Sequence, residues 1–206
     1  MKNDESCQQC QNVKIVGADP TAIGLFGLAI VTLVASSQKL GFTTDIALVI
    51  PWALFLGALA QLYASVCDAK LGNTFGATAF GAYGFFWLGI ALTWIIQSGV
   101  LGETLQAKSD YHQLGVAFLG YLIFSLFLTY GAASIHKVLF FIFVAIDVLF
   151  IGLTLDSLFD VSFGHYVAAI AEITISLLAF YGCGAALLNT HFNRVVLPVG
   201  KAFIER

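Results

Sequence analysis

The stretch KVLFFIFVAIDVLFIGLTL, residues 137–155, decides the architecture. An α-helix needs about 20 mostly apolar residues to cross the hydrocarbon core of a bilayer. Between Lys137 and Leu155 the one ionisable side chain is Asp147. Outward from this segment, five more stretches read the same way. They run from about Thr21 to Ser37, Asp45 to Cys67, Phe75 to Gln97, His112 to Ala133 and Ser162 to Leu188. The predicted fold class is therefore an all-α integral membrane protein with six transmembrane helices. Residues 1–18 form a polar tail, expected to be flexible; 19–190 form one membrane domain, and 191–206 a second short tail. Nothing remains for a soluble catalytic domain.

Composition agrees with this reading. Hydrophobic residues make up 59% of the chain and charged residues 10%, against about 25% charged in soluble domains. Nineteen Phe and twenty Gly, with one Met and three Pro, suit membrane helices, where glycine lets backbones approach closely. In water such a chain would expose large apolar patches, and disorder requires the opposite composition. A net charge of −3 gives no support for a nucleic-acid partner. Residues 1–19 lack the basic-then-apolar order of a signal peptide. Short loops rich in Lys and Arg stay in the cytoplasm. Lys2, Lys14, Lys70, Lys137, Arg194, Lys201 and Arg206 fall on the side shared by both termini, and only Lys39 and Lys108 on the other. Both termini are expected in the cytoplasm, with the protein in the cell membrane and surrounded by lipid.

Ionisable groups at membrane depth are costly, about 3 kcal/mol each at the bilayer centre on insertion scales, and normally face a cavity or a helix partner. Asp147 and Glu172 are the two that stand out. Each reads either as a proton-binding carboxylate or as a group bonded to a neighbouring helix. Among uncharged polar residues, Gln61 and Tyr83 are chemically suited to lining a narrow path for a small polar solute, while Thr78 reads first as an interhelical hydrogen bonder. Asn73 and Thr74 open the third span, and Asp19 and Pro20 open the first. Free N–H groups at helix starts favour an anion.

Other chemistry finds little support. Cys7-Gln8-Gln9-Cys10 is a lone CxxC, and a zinc site needs four ligands. His112, His136, His165 and His191 lie at predicted helix ends or loops, which argues against an intramembrane haem or metal. No nucleophile–base pair or phosphate loop is present, so neither an enzyme nor a cofactor is expected.

The chain resembles the acetate uptake transporter family, which groups bacterial acetate–succinate permeases with archaeal acetate channels and yeast acetate and ammonia-export proteins. The resemblance rests on Asp19-Pro20-Thr21-Ala22-Ile23-Gly24-Leu25, where Pro20, Gly24 and Leu25 keep the family's opening motif. It rests also on Gly57, Ala60 and Gln61, on the long run from Gly72-Asn73-Thr74-Phe75-Gly76 to Tyr83-Gly84-Phe85-Phe86-Trp87, and on Phe192-Asn193-Arg194 to Pro198-Val199-Gly200. The resemblance implies a homohexamer of six-span protomers, each with its own pore for small monocarboxylates, acetate first and succinate next. It implies a hydrophobic constriction at Leu28, Tyr83 and Ile146, and makes Asp68 the counterpart of a carboxylate ahead of the Asn-Thr-Phe-Gly motif. Asn73, Thr74, Gln61 and Thr78 are then the substrate-binding candidates. Asp68 joins Asp147 and Glu172 as the proton-coupling candidates, although the last two fall where the bacterial relatives are uncharged and so read as features of this chain rather than of the family. An ionised Asp147 would repel a carboxylate, so it is expected to stay protonated or to face away from the pore. Channel and proton-coupled symport remain open alternatives, as does an ammonia path on the same architecture.

Overall fold

The structure, a computed structural model, describes residues 17–205; Lys2, Lys14, Cys7, Cys10 and Arg206 lie outside the described residues. Six helices are long and apolar enough to cross a membrane: Thr21–Lys39, Val49–Lys70, Thr74–Gln97, Tyr111–Ala132, Lys137–Phe159 and Phe163–Phe192. They are numbered here as the first to sixth spans. Among the described residues there is no strand. A short helix, Glu103–Ala107, lies in the loop between the third and fourth spans.

Local chemistry sets the helix ends. Asp19 accepts the Thr21 N–H at 2.9 Å. Asn73 caps the third span by accepting the Gly76 N–H, and Asp110 caps the fourth through the His112 N–H, which satisfies otherwise orphaned donors. That same N–H holds the exposed Asp110 carboxyl below its ordinary range. The second span begins at Val49 rather than Asp45, because Asp45 folds back on the Ile46 N–H and holds the chain in a turn. The fifth span runs past Leu155 to Phe159 and the sixth past Leu188 to Phe192. They end where Asp160 (φ 55°) and Asn193 (φ 49°) adopt left-handed conformations, which short polar side chains tolerate.

The first span is held between the second and the sixth; the sixth packs on the fifth, the fifth on the fourth, and the second on the third. The third and fourth spans meet across a looser seam, bridged by long side chains such as Tyr121, whose hydroxyl reaches the Ala82 carbonyl. Single side-chain bonds pin other pairs: Ser176 to the Ala29 carbonyl, and Ser65 to the Ala77 carbonyl. Close approach depends on glycine where spans touch. A Cβ at Gly27 would strike the Leu56 carbonyl, and one at Gly152 would strike the Gly164 carbonyl and the Ala168 backbone. The second span is wound as a π-helix over Ala53–Ala60, and Leu56 lies within that turn.

An even number of spans places Gly17–Pro20, Lys70–Asn73, Ile135–Lys137 and the C-terminal segment on one face, the terminal face. The loops after the first, third and fifth spans lie on the opposite face. The C-terminal segment is strapped down. Asn189 accepts the Val196 and Leu197 N–H groups, Val199 accepts the Val138 N–H, and Phe203 donates its N–H to the Ala133 carbonyl at 2.8 Å.

Candidate functional site

Two cavities lie end to end along the axis of the bundle. The first, of about 250 Å³, opens toward the terminal face between the first, second, third and fifth spans. At about 30 Å³ per water, it has room for several water molecules or one small organic ion. Its deep wall carries Leu28, Tyr83 and Ile146 (7%, 5% and 4% exposed). The three constriction candidates thus come from three different spans and meet at one level. Phe75, Phe80 and Phe143 extend the apolar lining.

The second cavity, of about 290 Å³, lies toward the opposite face, with Trp87, Ile90 and Trp94 on one wall and Lys39, Glu172, His165 and Asp156 among its polar residues. The two share no lining residue. Between them stands an aromatic partition. The Tyr83 ring stacks on Phe150 with centroids 6.3 Å apart, and Phe86 meets Phe150 edge-on at 5.3 Å. Hydrophobic constrictions of this kind can gate by dewetting.

Tyr83 is fixed from behind. Its hydroxyl donates to Ser125 Oγ at 3.0 Å. One turn on, Thr129 donates to Asp147 Oδ2 at 2.6 Å. Asp147 therefore sits at the contact of the fourth and fifth spans, one residue round the helix from Ile146, and does not line either cavity. Its Oδ1 is buried with no partner among the described residues.

In the first cavity Asp68 and Asn73 lie at the entrance, and Gln61 lies deeper, nine residues inside the end of the second span. Asp68 Oδ1 accepts from Asn73 Nδ2 at 2.9 Å, while Oδ2 is buried and unpartnered among the described residues. A Cβ at position 76 would overlap Asp68, so Gly76 makes room for that carboxylate. Gln61 is fully buried; its Nε2 donates to the Gly57 carbonyl at 2.8 Å and its Oε1 has no partner among the described residues. Asn73 and Gln61 thus line the cavity, whereas Thr74 and Thr78 do not: both are exposed on the other side of the third span. Of the entrance motif, Leu25 lines the cavity, and Pro20 and Gly24 are buried beside it. Gly24 leaves the space occupied by the Phe80 ring.

Glu172 lies in the second cavity. Both its oxygens accept from Lys39 Nζ, at 3.0 and 2.9 Å. The three carboxylates Asp68, Asp147 and Glu172 are thus spread over one cavity entrance, one helix contact and the other cavity.

Two lining residues carried no functional signal in the sequence. His136 caps the fifth span, its Nδ1 accepting the Leu139 N–H at 3.1 Å, while it faces the first cavity. Burial pushes its imidazole below the ordinary histidine value. Lys39, counted above among loop charges, turns inward. Its partner is 133 residues away, a separation no local pattern bridges. Among the described residues no cluster of metal-ligating side chains is present.

The chain is similar to known proteins along most of its length. The chain is 31% identical over 185 residues to the succinate-acetate/proton symporter SatP of Escherichia coli, covering 90% of this chain and 96% of that one. It is 28% identical to the ammonia transport outward protein 2 of Saccharomyces cerevisiae, over 87% of this chain and 65% of the relative. A solved structure described as the bacterial acetate channel SatP superposes with a TM-score of 0.83 at 30% identity, covering 90% of this chain and all of that one. Residues 5–201 match the family described as GPR1/FUN34/yaaH, and the chain belongs to that family.

Proposed function

We propose that each protomer passes acetate and similar small carboxylates, succinate among them, across the cell membrane along the line of the two cavities. The observation that carries this reading is the ring of Leu28, Tyr83 and Ile146, contributed by three spans, that closes the path between two chambers with polar mouths. An acetate ion is a methyl group joined to a carboxylate, so its path needs polar partners at the ends and a dry waist. Asn73 and Gln61 serve the carboxylate in the first chamber, and the ring serves the methyl group. Asp68 and Glu172 are the carboxylates placed to exchange protons with solute in the two chambers; Asp147 faces Thr129 instead. The similarity to a symporter and to a channel supports the substrate class. The excess of Lys and Arg on the terminal face supports a cytoplasmic placement of both termini, and the family resemblance supports a homohexamer.

Labelled acetate flux into proteoliposomes, with and without an inward proton gradient, tests the proposal. Protein-free liposomes are the control, because neutral acetic acid crosses lipid unaided. Accumulation above equilibrium means proton coupling; downhill flux that only equilibrates means a channel. No flux above the control overturns the reading. A path for ammonia is the second reading, favoured by the similarity to the yeast ammonia export protein. Tyr83→Ala separates the two. It alters discrimination between acetate and larger carboxylates if they use the ring, and leaves that discrimination unchanged if they do not.

A further inference from the structure

Lys39 and Glu172 form a charged pair where the sequence offered two unrelated residues. The Lys39 side chain is 14% exposed and that of Glu172 3%, and both line the second cavity. Removing two charges from water is expensive, and a buried pair is often no more stabilising than an apolar replacement of the same size. A stability role alone therefore gives weak reason for the pair to face open space. Among the described residues the geometry leaves capacity unused: Nζ carries three N–H donors, and the Glu172 oxygens account for two of them.

The rest of the chamber suits a short carboxylate. Trp87 and Trp94 give an apolar wall, with rings 6.5 Å apart. The other titratable groups lining the cavity are His165 and Asp156, which lie 3.6 Å from one another, and Tyr111. Among the described residues Lys39 is the only lysine or arginine in the lining.

We propose that Lys39 is the carboxylate-capture site of the second cavity, and that Glu172 is its standing occupant. An arriving carboxylate takes the free donor and then displaces a Glu172 oxygen, its apolar end resting on the tryptophan wall. Glu172 weakens capture by competing for the same ammonium, so the anion is held loosely enough to move on toward the partition. This inference rests on the transport reading and supplies a cationic contact to it, since among the described residues the first cavity has no lysine or arginine in its lining.

The test is acetate titration of the purified protein in mild detergent, followed by the fluorescence of Trp87 and Trp94. Glu172→Gln keeps an amide near Nζ but removes the competing charge. The apparent acetate dissociation constant should fall by about tenfold, the order expected for one charge-assisted hydrogen bond gained. Lys39→Gln alone would strand a buried carboxylate, so the double variant Lys39→Gln/Glu172→Gln is used. It should bind acetate about tenfold more weakly than the unaltered protein. Unchanged binding in both variants overturns the proposal and makes the pair a structural strut. If the double variant fails to fold, Glu172→Gln decides alone: tighter binding supports capture, and unchanged binding overturns it. Flux in proteoliposomes is scored separately. Normal flux with unmoved binding defeats this inference and spares the transport reading, while absence of flux from the unaltered protein defeats both.

Discussion

At the scale of single residues, Asp147 and His136 differ in what they can reach. Asp147 is aimed at Thr129 and separated from both chambers, so Asp147→Asn should leave acetate uptake unchanged at every pH; a pH profile that shifts with this variant would return it to the mechanism. His136 faces the first chamber and accepts the Leu139 N–H on Nδ1, which requires that nitrogen to be unprotonated. Burial lowers its pKa below that of the unfolded chain. The unfolded state then takes up a proton first as pH falls, and stability falls with it. The contribution is therefore complete above about pH 6.5, the ordinary histidine value, and is lost as pH drops below it. His136→Asn keeps a capping acceptor and removes the titration. Thermal unfolding in detergent should show the wild-type protein losing more stability than this variant between neutral and mildly acidic pH. Parallel losses would show that the cap is indifferent to protonation.

At the scale of the helices, packing depends on a few backbone contacts. Gly27 touches the Leu56 carbonyl inside the π-wound segment, so a methyl group there would strike the Leu56 backbone first and crowd the Ala60 methyl beside it. Overpacking of this kind costs about 1–3 kcal/mol, and Gly27→Ala should lower the thermal midpoint; an unchanged midpoint would mean that the first and second spans slide freely. The apolar runs made the six helices legible, because at membrane depth hydrophobicity and length are nearly sufficient signals. The periodicity of the third span carries its orientation too. Gly76, Ala79 and Tyr83 recur at helical spacing on the buried face, while Thr74 and Thr78 are four apart on the exposed one. Three features left no trace in local sequence. The Lys39–Glu172 pair and the bonds from residues 199–204 to the ends of the fourth and fifth spans join distant segments, and no local pattern marks the π-wound segment before Gln61. Leu28 and Ile146 were legible only through family resemblance, since an aliphatic residue in an apolar span has no chemistry to single it out.

At the scale of the whole molecule, the protomer has more apolar surface than contacts between its own helices require. The most apolar stretch of the fourth span is only 22% buried, and Phe127 and Val116 stand well exposed. Lipid can cover such a surface, but two glycines ask for a more specific neighbour. A Cβ at Gly89 or Gly120 would meet nothing within 4 Å, so neither is required for packing inside the protomer. Gly120 lies in a shallow trough with Ala82, Ala117 and Tyr121, along the loose seam between the third and fourth spans. Small residues on a span surface let a second helix approach, and in the proposed homohexamer that helix comes from another copy of the chain. Gly120→Leu should therefore leave each protomer folded but weaken the assembly. Mass measurement in mild detergent should find six copies for the unaltered protein and smaller species for the variant. A stable monomer from the unaltered chain would contradict the hexamer. An intact hexamer with leucine in the trough would move the interface elsewhere on the bundle.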